Sequence, residues 1–328
     1  MFTRLLQRLS VAMVAPILAG AVAGMAPAAL AEDWPTRAVT LVVPYGPGAS
    51  NDTFTRAIAE VLSAELGQPF VVENRVGAGG FIGSNSVKNE EGDGYIFLEA
   101  PSAIVGLGPI GKMDLDVQAD FKPVALLATS PTAMAINANI PANTVQEFLA
   151  WLEENPDKAF YGYAGAGATS HLHAELFNHL SGAELQGVNY KSSADAQADL
   201  VGGRLAAMFV SVASTKGQVD AGQLKLLAYA DDNYPAGSPE APTMAEAGVE
   251  GYDIAQLFWA MFAPKGTPDD IVAKMTAAVN NALEHPSVVD LMERSGATPA
   301  PGDPSALVDI LNAEMQVLAD FQTWVELE

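Results

Sequence analysis

Apolar residues fall along the chain in two patterns, short unbroken runs and longer stretches with helical spacing, and the two alternate. Val39, Leu41, Val42 and Val43 form the first run, as expected of a parallel strand covered on both faces. Pro44 cannot donate to a strand ladder, so the strand ends at a turn beginning with Tyr45. Gly46-Pro47-Gly48 makes that turn, and Phe54, Ile58, Val61, Leu62 and Leu66 then recur at helical spacing until Gly67 and Pro69 stop the helix. Ser50, Asn51 or Asp52 is expected to cap it. A helix start on a glycine turn offers unpaired N–H groups and the positive end of the dipole, so this stretch can hold an anion without a basic side chain.

The alternation continues. Strands are expected at 69–72, 95–98, 124–128 and 133–136, with the 77–83 glycine cluster opening a helix and Glu99-Ala100-Pro101-Ser102 making a turn. Thr129-Ser130-Pro131 lacks hairpin chemistry and reads as a crossing between domains. A second strand, glycine turn and helix follow: 159–163, then Ala164-Gly165-Ala166-Gly167-Ala168-Thr169-Ser170, then a helix from His171 to Leu180. Strands at 187–190, 206–210 and 224–229 and a helix over 194–201 complete this half. The stretch 254–262 returns the chain to the first half, against which helices over 268–283 and 304–324 pack. If the halves face one another, both glycine turns converge on a ligand between them.

Composition narrows the picture. The first 31 residues differ in kind: Arg4 and Arg8 precede an apolar run from Val11 to Met25, too short to span a bilayer, and Ala29-Leu30-Ala31 supplies small residues for cleavage. They read as a signal peptide removed near Ala31, sending the protein to the periplasm. The chain carries a net charge of −23, and losing those two arginines makes it −25, which argues against nucleic-acid binding. Without cysteine there is neither a disulfide nor a lipid anchor at a cleavage-site Cys. The length left after the leader, about 297 of the 328 residues, exceeds what one core comfortably holds and suggests two α/β domains.

Candidate chemistry favours binding over catalysis. The 77–83 cluster is not a dinucleotide fingerprint, because Ile82 stands where the third glycine belongs. Neither Ser50 nor Ser170 lies in a G-x-S-x-G nucleophile elbow, which leaves a secreted hydrolase as the weakest reading. His171 and His173 point apart on one helix and His179 is two turns away, so no metal site is expected; His171 instead caps its helix or lines the cleft. No cofactor is expected.

Six segments, YGPGASND, VVENRVGAGGFIG, YAGAGATSHLHAELF, YKSSADAQADLVGGRL, APTMAEAGVEGYD and FAPKGTP, in this order and spacing, resemble the periplasmic receptors of tripartite tricarboxylate transporters, often called Bug proteins. The resemblance spans the whole chain after the leader. It implies a Venus-flytrap, type II periplasmic-binding-protein fold: two Rossmann-like α/β domains with a central cleft, residues 32–131 plus 262–328 in one and 132–261 in the other, with a small organic carboxylate between them. It also implies delivery to a membrane permease; a membrane sensor is the alternative partner, and the receptor is expected to be a monomer. Backbone amides, hydroxyls and waters make the family's ligand contacts. Here that points to Tyr45, Gly48, Ala49, Ser50, Asn51, Asp52 and Ser102 on one side and Gly165, Ala166, Gly167, Ala168, Thr169, Ser170 and His171 on the other, with Lys191 at the rim.

Three positions depart from the family pattern. Ala49 replaces a glycine, at a cost of about 1 kcal/mol if the position needs a positive φ. Ala168 stands where a hydroxyl residue is usual. Val210 replaces an aspartate and is expected near Phe258 and Trp259, suggesting a drier wall and a ligand with an apolar or aromatic body.

Overall fold

The computed structural model describes residues 34–230, 238–252, 254 and 257–324, so the leader with its cleavage site lies outside the described residues. The first run of the chain alternates strands and helices as expected: β1 (Val39–Val43), α1 (Ser50–Leu66), β2 (Phe70–Asn74), α2 (Phe81–Lys88) and β3 (Ile96–Pro101). A helical turn, Ser102–Gly106, then leads to α3 (Val117–Asp120) and β4 (Phe121–Ser130). Beyond Pro131 come β5 (Thr132–Asn137), α4 (Val145–Glu154), β6 (Phe160–Tyr163), α5 (Thr169–Ser181), β7 (Gln186–Asn189) and α6 (Ser193–Val201). Next are β8 (Ala207–Ser211), α7 (Val212–Asp220) and β9 (Leu224–Tyr229), and last β10 (Leu257–Pro264), α8 (Asp269–Glu284), α9 (Pro286–Arg294), β11 (Thr298–Pro299) and α10 (Ser305–Trp324).

These strands form two sheets, ordered β11-β4-β10-β3-β1-β2 and β7-β6-β8-β5-β9. In the first, β1 is parallel to both neighbours, Leu41 lying opposite Val72 and Phe97, and β10 runs antiparallel between β3 and β4. Val39, Leu41, Val42 and Val43 are buried, which is why β1 lacks polar alternation. In the second, β6 is parallel to β7 and β8, and β5 is antiparallel to β8 and β9. Two α/β domains with a cleft between them, the type II periplasmic-binding-protein architecture, result.

The Ser130-Pro131 step is a crossing, since β4 belongs to the first sheet and β5 to the second. The Ser130 hydroxyl lies 2.7 Å from that of Ser211 and 3.0 Å from the Gly296 carbonyl, tying this crossing to both sides. β10 lies in the first sheet along its whole length, so that sheet is assembled from two separated stretches of chain. The strand expected at 95–98 runs on through Glu99 to Pro101, carrying a glutamate into a fully buried strand. The helices α4, α7 and α9 are additions to the sequence expectations.

Helix α10 lays one stripe, Leu307, Leu311, Glu314, Leu318 and Phe321, into the interior. Phe321 meets the His171 ring edge-on at 5.6 Å, so the last helix reaches the start of α5.

Candidate functional site

The ligand-facing geometry begins with backbone conformation. In the first turn Gly48 takes φ 85°, which L-residues resist, and Ala49 returns to extended φ −70°, ψ 162° as the residue before α1. Ala49 therefore carries no strain, contrary to the cost anticipated from the lost glycine. It is Ala49, not Ser50, Asn51 or Asp52, that occupies the N-cap, and its methyl caps nothing. The first N–H groups of α1 accordingly remain free within the fold.

Asp52 supplies the missing order from inside the helix. One carboxylate oxygen accepts from the Gly48 N–H at 2.9 Å; the other accepts from Asn74 Nδ2 at 2.9 Å and pairs with Arg56 at 2.8 Å. Burial works against the charged form of Asp52. The bonds from Arg56, Gly48 and Asn74 outweigh it and hold its carboxyl below the usual range, so Asp52 is ionised. Asn74 also donates to the Tyr45 carbonyl, and the Tyr45 hydroxyl donates to that of Gly79, tying the turn to the end of β2 and to the glycine cluster.

The second turn repeats the backbone. Gly165 and Gly167 have φ 97° and 75°, and Ala168, at φ −65°, ψ 153°, is again an N-cap without a side-chain bond. The Gly167 N–H donates to His171 Nδ1 at 3.1 Å, as Gly48 does to Asp52. His171 is buried and stacked on Tyr163 at 4.4 Å, and burial pushes its pKa down to about 4. A neutral imidazole with Nδ1 as acceptor is what this bond requires. His171 was expected to cap its helix or line the cleft; its bond reaches the Gly167 N–H, ahead of the N-cap, and so fixes the turn rather than capping α5.

The two walls touch. The Ser102 hydroxyl, at the end of β3, lies 2.8 Å from that of Thr169 at the start of α5. A β-carbon on Gly106 would sit 2.5 Å from the Gly167 carbonyl oxygen, and one on Gly167 would sit 2.8 Å from Ile110. The structure thus brings Ser102 into contact with the second turn, where the sequence placed the two on opposite sides of a ligand. Ser50 is exposed, Ser170 half-buried, Ala166 exposed, and Lys191 is exposed without an ion pair among the described residues. Among the described residues no Lys or Arg bonds to either turn except Arg56, which Asp52 occupies.

Val210 is placed differently. It packs among Ala196, Leu200 and Leu205 in the second domain, whereas Trp259 packs edge-on against Phe54 at 5.2 Å in the first. The case for an apolar ligand body built on Val210 therefore loses its residue.

One group of this region escaped the sequence reading. Glu99 is buried at 1% exposure beneath the start of α1, and Asn51 Nδ2 donates to its two oxygens at 3.1 and 3.3 Å. Burial, against the Asn51 bond and helped by the Asp52 charge, pushes its pKa up to about 8. Its one sequence signal is a charged residue inside the otherwise apolar strand Ile96–Pro101.

Two cavities, of about 360 and 500 Å³, lie elsewhere. The first is walled by Lys88, Asp114, Asp116, Asp120 and Met315, the second by α8 and Gly302-Asp303-Pro304, and neither is lined by a residue of the turns. Among the described residues no three His, Asp or Glu side chains gather to hold a metal ion. No described helix is long and apolar enough to cross a membrane.

Comparison with known proteins bears on what such a site does. The family described as tripartite tricarboxylate transporter family receptor matches residues 54–317. Protein BugT of Bordetella pertussis is 32% identical over 299 residues, 90% of this chain and 91% of BugT. Among solved structures, an R. palustris protein with adipate is 34% identical with a TM-score of 0.78, covering 89% of this chain and 97% of that one. MatC from Rhodopseudomonas palustris with bound malate is 30% identical with a TM-score of 0.77, covering 87% of this chain and 99% of its own.

Proposed function

This chain belongs to the family of tripartite tricarboxylate transporter receptors, and from that premise we propose that it captures a small organic carboxylate between its two domains and hands it to the membrane subunits of such a transporter. The family and its solved neighbours are periplasmic solute-binding proteins, not enzymes. One observation carries the ligand class: two helices in different domains begin on glycine turns with bare N-caps, the start of α5 meeting Ser102 at the end of β3, the strand beside β1, and among the described residues no free basic side chain lies on either turn. Such a pair of helix starts suits an anion small enough to be enclosed by both. That two solved relatives carry adipate and malate supports the same class.

In this reading the N–H groups of residues 50–52 hold one side of the carboxylate, and those of Thr169 and Ser170, with the Thr169 hydroxyl, the other. The domains divide at 131/132 and again before Leu257, earlier than the 261/262 boundary expected from the sequence, because β10 lies wholly in the first sheet, and the leader is removed near Ala31, so that the mature receptor works in the periplasm. Opening and closing pivot where Ser130 and Ser211 meet.

A thermal-shift screen of mono-, di- and tricarboxylates, followed by calorimetry, tests the reading, because a ligand of the folded state raises the melting temperature by mass action. Thr169→Ala and Ser50→Ala are expected to weaken binding by about 1.5 to 3 kcal/mol, Thr169 the more, since its hydroxyl is already partly desolvated against Ser102. Lys191→Met, at an exposed cation, changes little. A chain that binds no carboxylate, or one that depends on Lys191 and on neither hydroxyl, contradicts the proposal.

A further inference from the structure

Glu99 has chemistry that the site so far leaves unused. A carboxyl buried this deeply is normally ionised only with a cation or several donors around it. Glu99 has neither: its hydrogen-bond partner is the neutral amide of Asn51, and no Lys or Arg pairs with it among the described residues. The charged groups of the surrounding elements do not favour ionisation. Asp52 on α1 is itself anionic, and Arg56 is spent on Asp52. The Tyr45 hydroxyl, on the turn, is held above its ordinary pKa by burial and is neutral. On β10, Met261 lies directly opposite Glu99 and carries no charge, and on α2 Lys88 is committed to Asp120 at 3.1 Å.

A carboxyl so placed keeps its proton and then has a hydroxyl to donate. Asn51 cannot receive it through the group it uses, since its Nδ2 is itself the donor. Asn51 is also the second residue of α1, so Glu99 is one side-chain hydrogen bond away from that helix start. We propose that Glu99 serves the cleft as an uncharged carboxylic acid whose hydroxyl donates to an oxygen of the ligand carboxylate held at the start of α1. The assignment rests on the carboxylate reading above and deepens it. The ligand is taken as the anion, and the proton between the two carboxyls stays on the protein. This arrangement resolves what is otherwise a conflict, an anion site placed beside Asp52 and Glu99: only Asp52 is charged, and Arg56 neutralises it.

The consequence is a pH-linked affinity. Ionising Glu99 removes the donor and sets a like charge behind the ligand, so binding falls as pH rises through the value near 8 held by the free site. Neither Asp52, ionised throughout, nor His171, neutral throughout, titrates between pH 6.5 and 9.5.

The test is calorimetry on the mature protein with adipate, malate and hexanoate as probes, from pH 6.5 to 9.5, in buffers of differing ionisation enthalpy. For a probe that binds, the wild type is expected to lose roughly thirtyfold in affinity by pH 9.5, tenfold for each unit beyond the free-site value, and to take up close to one proton on binding there. Glu99→Gln keeps the size, the Asn51 bond and a donor that does not titrate. It is expected to shrink the ratio of affinities at the two ends of the range to less than threefold and to abolish the proton uptake, with its fold checked by the melting temperature of the free variant. Carboxylate binding that is flat in pH and releases or takes up no proton overturns the role of Glu99 while leaving the receptor reading intact. Failure of every carboxylate to bind at any pH overturns both.

Discussion

The two glycine turns are near copies that do different electrostatic work. Gly48-Ala49-Ser50-Asn51-Asp52 and Gly167-Ala168-Thr169-Ser170-His171 share a left-handed glycine, an extended alanine at the N-cap and a hydroxyl residue at the first helical position. In both, the third helical residue accepts from the N–H of the glycine, at 2.9 and 3.1 Å. The acceptor is a carboxylate tied to Arg56 in one and a neutral imidazole stacked on Tyr163 in the other. The backbone geometry of each helix start is thus set by the Gly-Ala pair, while the charge presented behind it is chosen independently by one side chain. The surroundings differ too: nothing lies within 4 Å of a β-carbon on Gly48, whereas Gly167 is pressed against Gly106 and Ile110.

The largest expected effect exploits that last difference. Gly167→Ala combines a strained φ with a methyl 2.8 Å from Ile110 and is expected to cost about 3 kcal/mol in urea unfolding. Gly48→Ala meets only the strain, about 1 kcal/mol. Equal losses would mean that the walls do not press on the second turn.

Acid comes next. The folded-state pKa of His171 lies near 4, below the ordinary imidazole value of about 6.5, so between these values the unfolded chain binds a proton that the folded one does not. Stability should therefore fall as pH drops from about 6.5 to about 4, by on the order of 2 kcal/mol, and His171→Gln should remove that slope. Asp52 behaves otherwise. With its pKa lowered, its contribution is complete above the ordinary carboxylate range and is lost only as pH falls through the lower folded value, so the first turn yields at more acid pH than the second. Melting curves at pH steps of half a unit would separate the two windows.

Smaller still is Asp52→Asn, which keeps the shape but removes the charge that Gly48, Asn74 and Arg56 address, at about 1.5 kcal/mol by chemical denaturation. Arg56→Ala closes the series. The guanidinium is half-exposed, so its pair with Asp52 is worth roughly 0.5 kcal/mol or less. A larger loss would show that the first turn depends on a cation for its stability after all.

Much of this fold could be read in advance because glycine and proline punctuate it. Pro44, Gly67 and Pro69 bound β1 and α1 closely, and Gly182 in the left-handed conformation ends α5. Helix α4 was equally legible and went unread: Thr144 accepts from the Glu147 N–H, and Glu147 returns to the Asn143 N–H, a capping box written as T-V-Q-E. The cap of α1 was misassigned for a physical reason. Ser50, Asn51 and Asp52 all favour N-caps, yet the turn ends one residue earlier, and Asp52 reaches back from the third helical position.

The sequence alone determined that the chain is acidic, cysteine-free and α/β in pattern, that its two halves each feed a glycine turn into a helix, and that no nucleophile elbow or dinucleotide loop is present. These follow from local chemistry, from spacing and from composition, and local terms do not depend on what the rest of the chain does. Only the tertiary structure decided which side chains meet. Ser102 and Thr169 are 67 residues apart, Asn51 and Glu99 are 48 apart, and Val210 sits in a core that no spacing rule assigned to it. Burial is a property of the assembled layers, and burial is what leaves His171 neutral and what keeps the proton on Glu99.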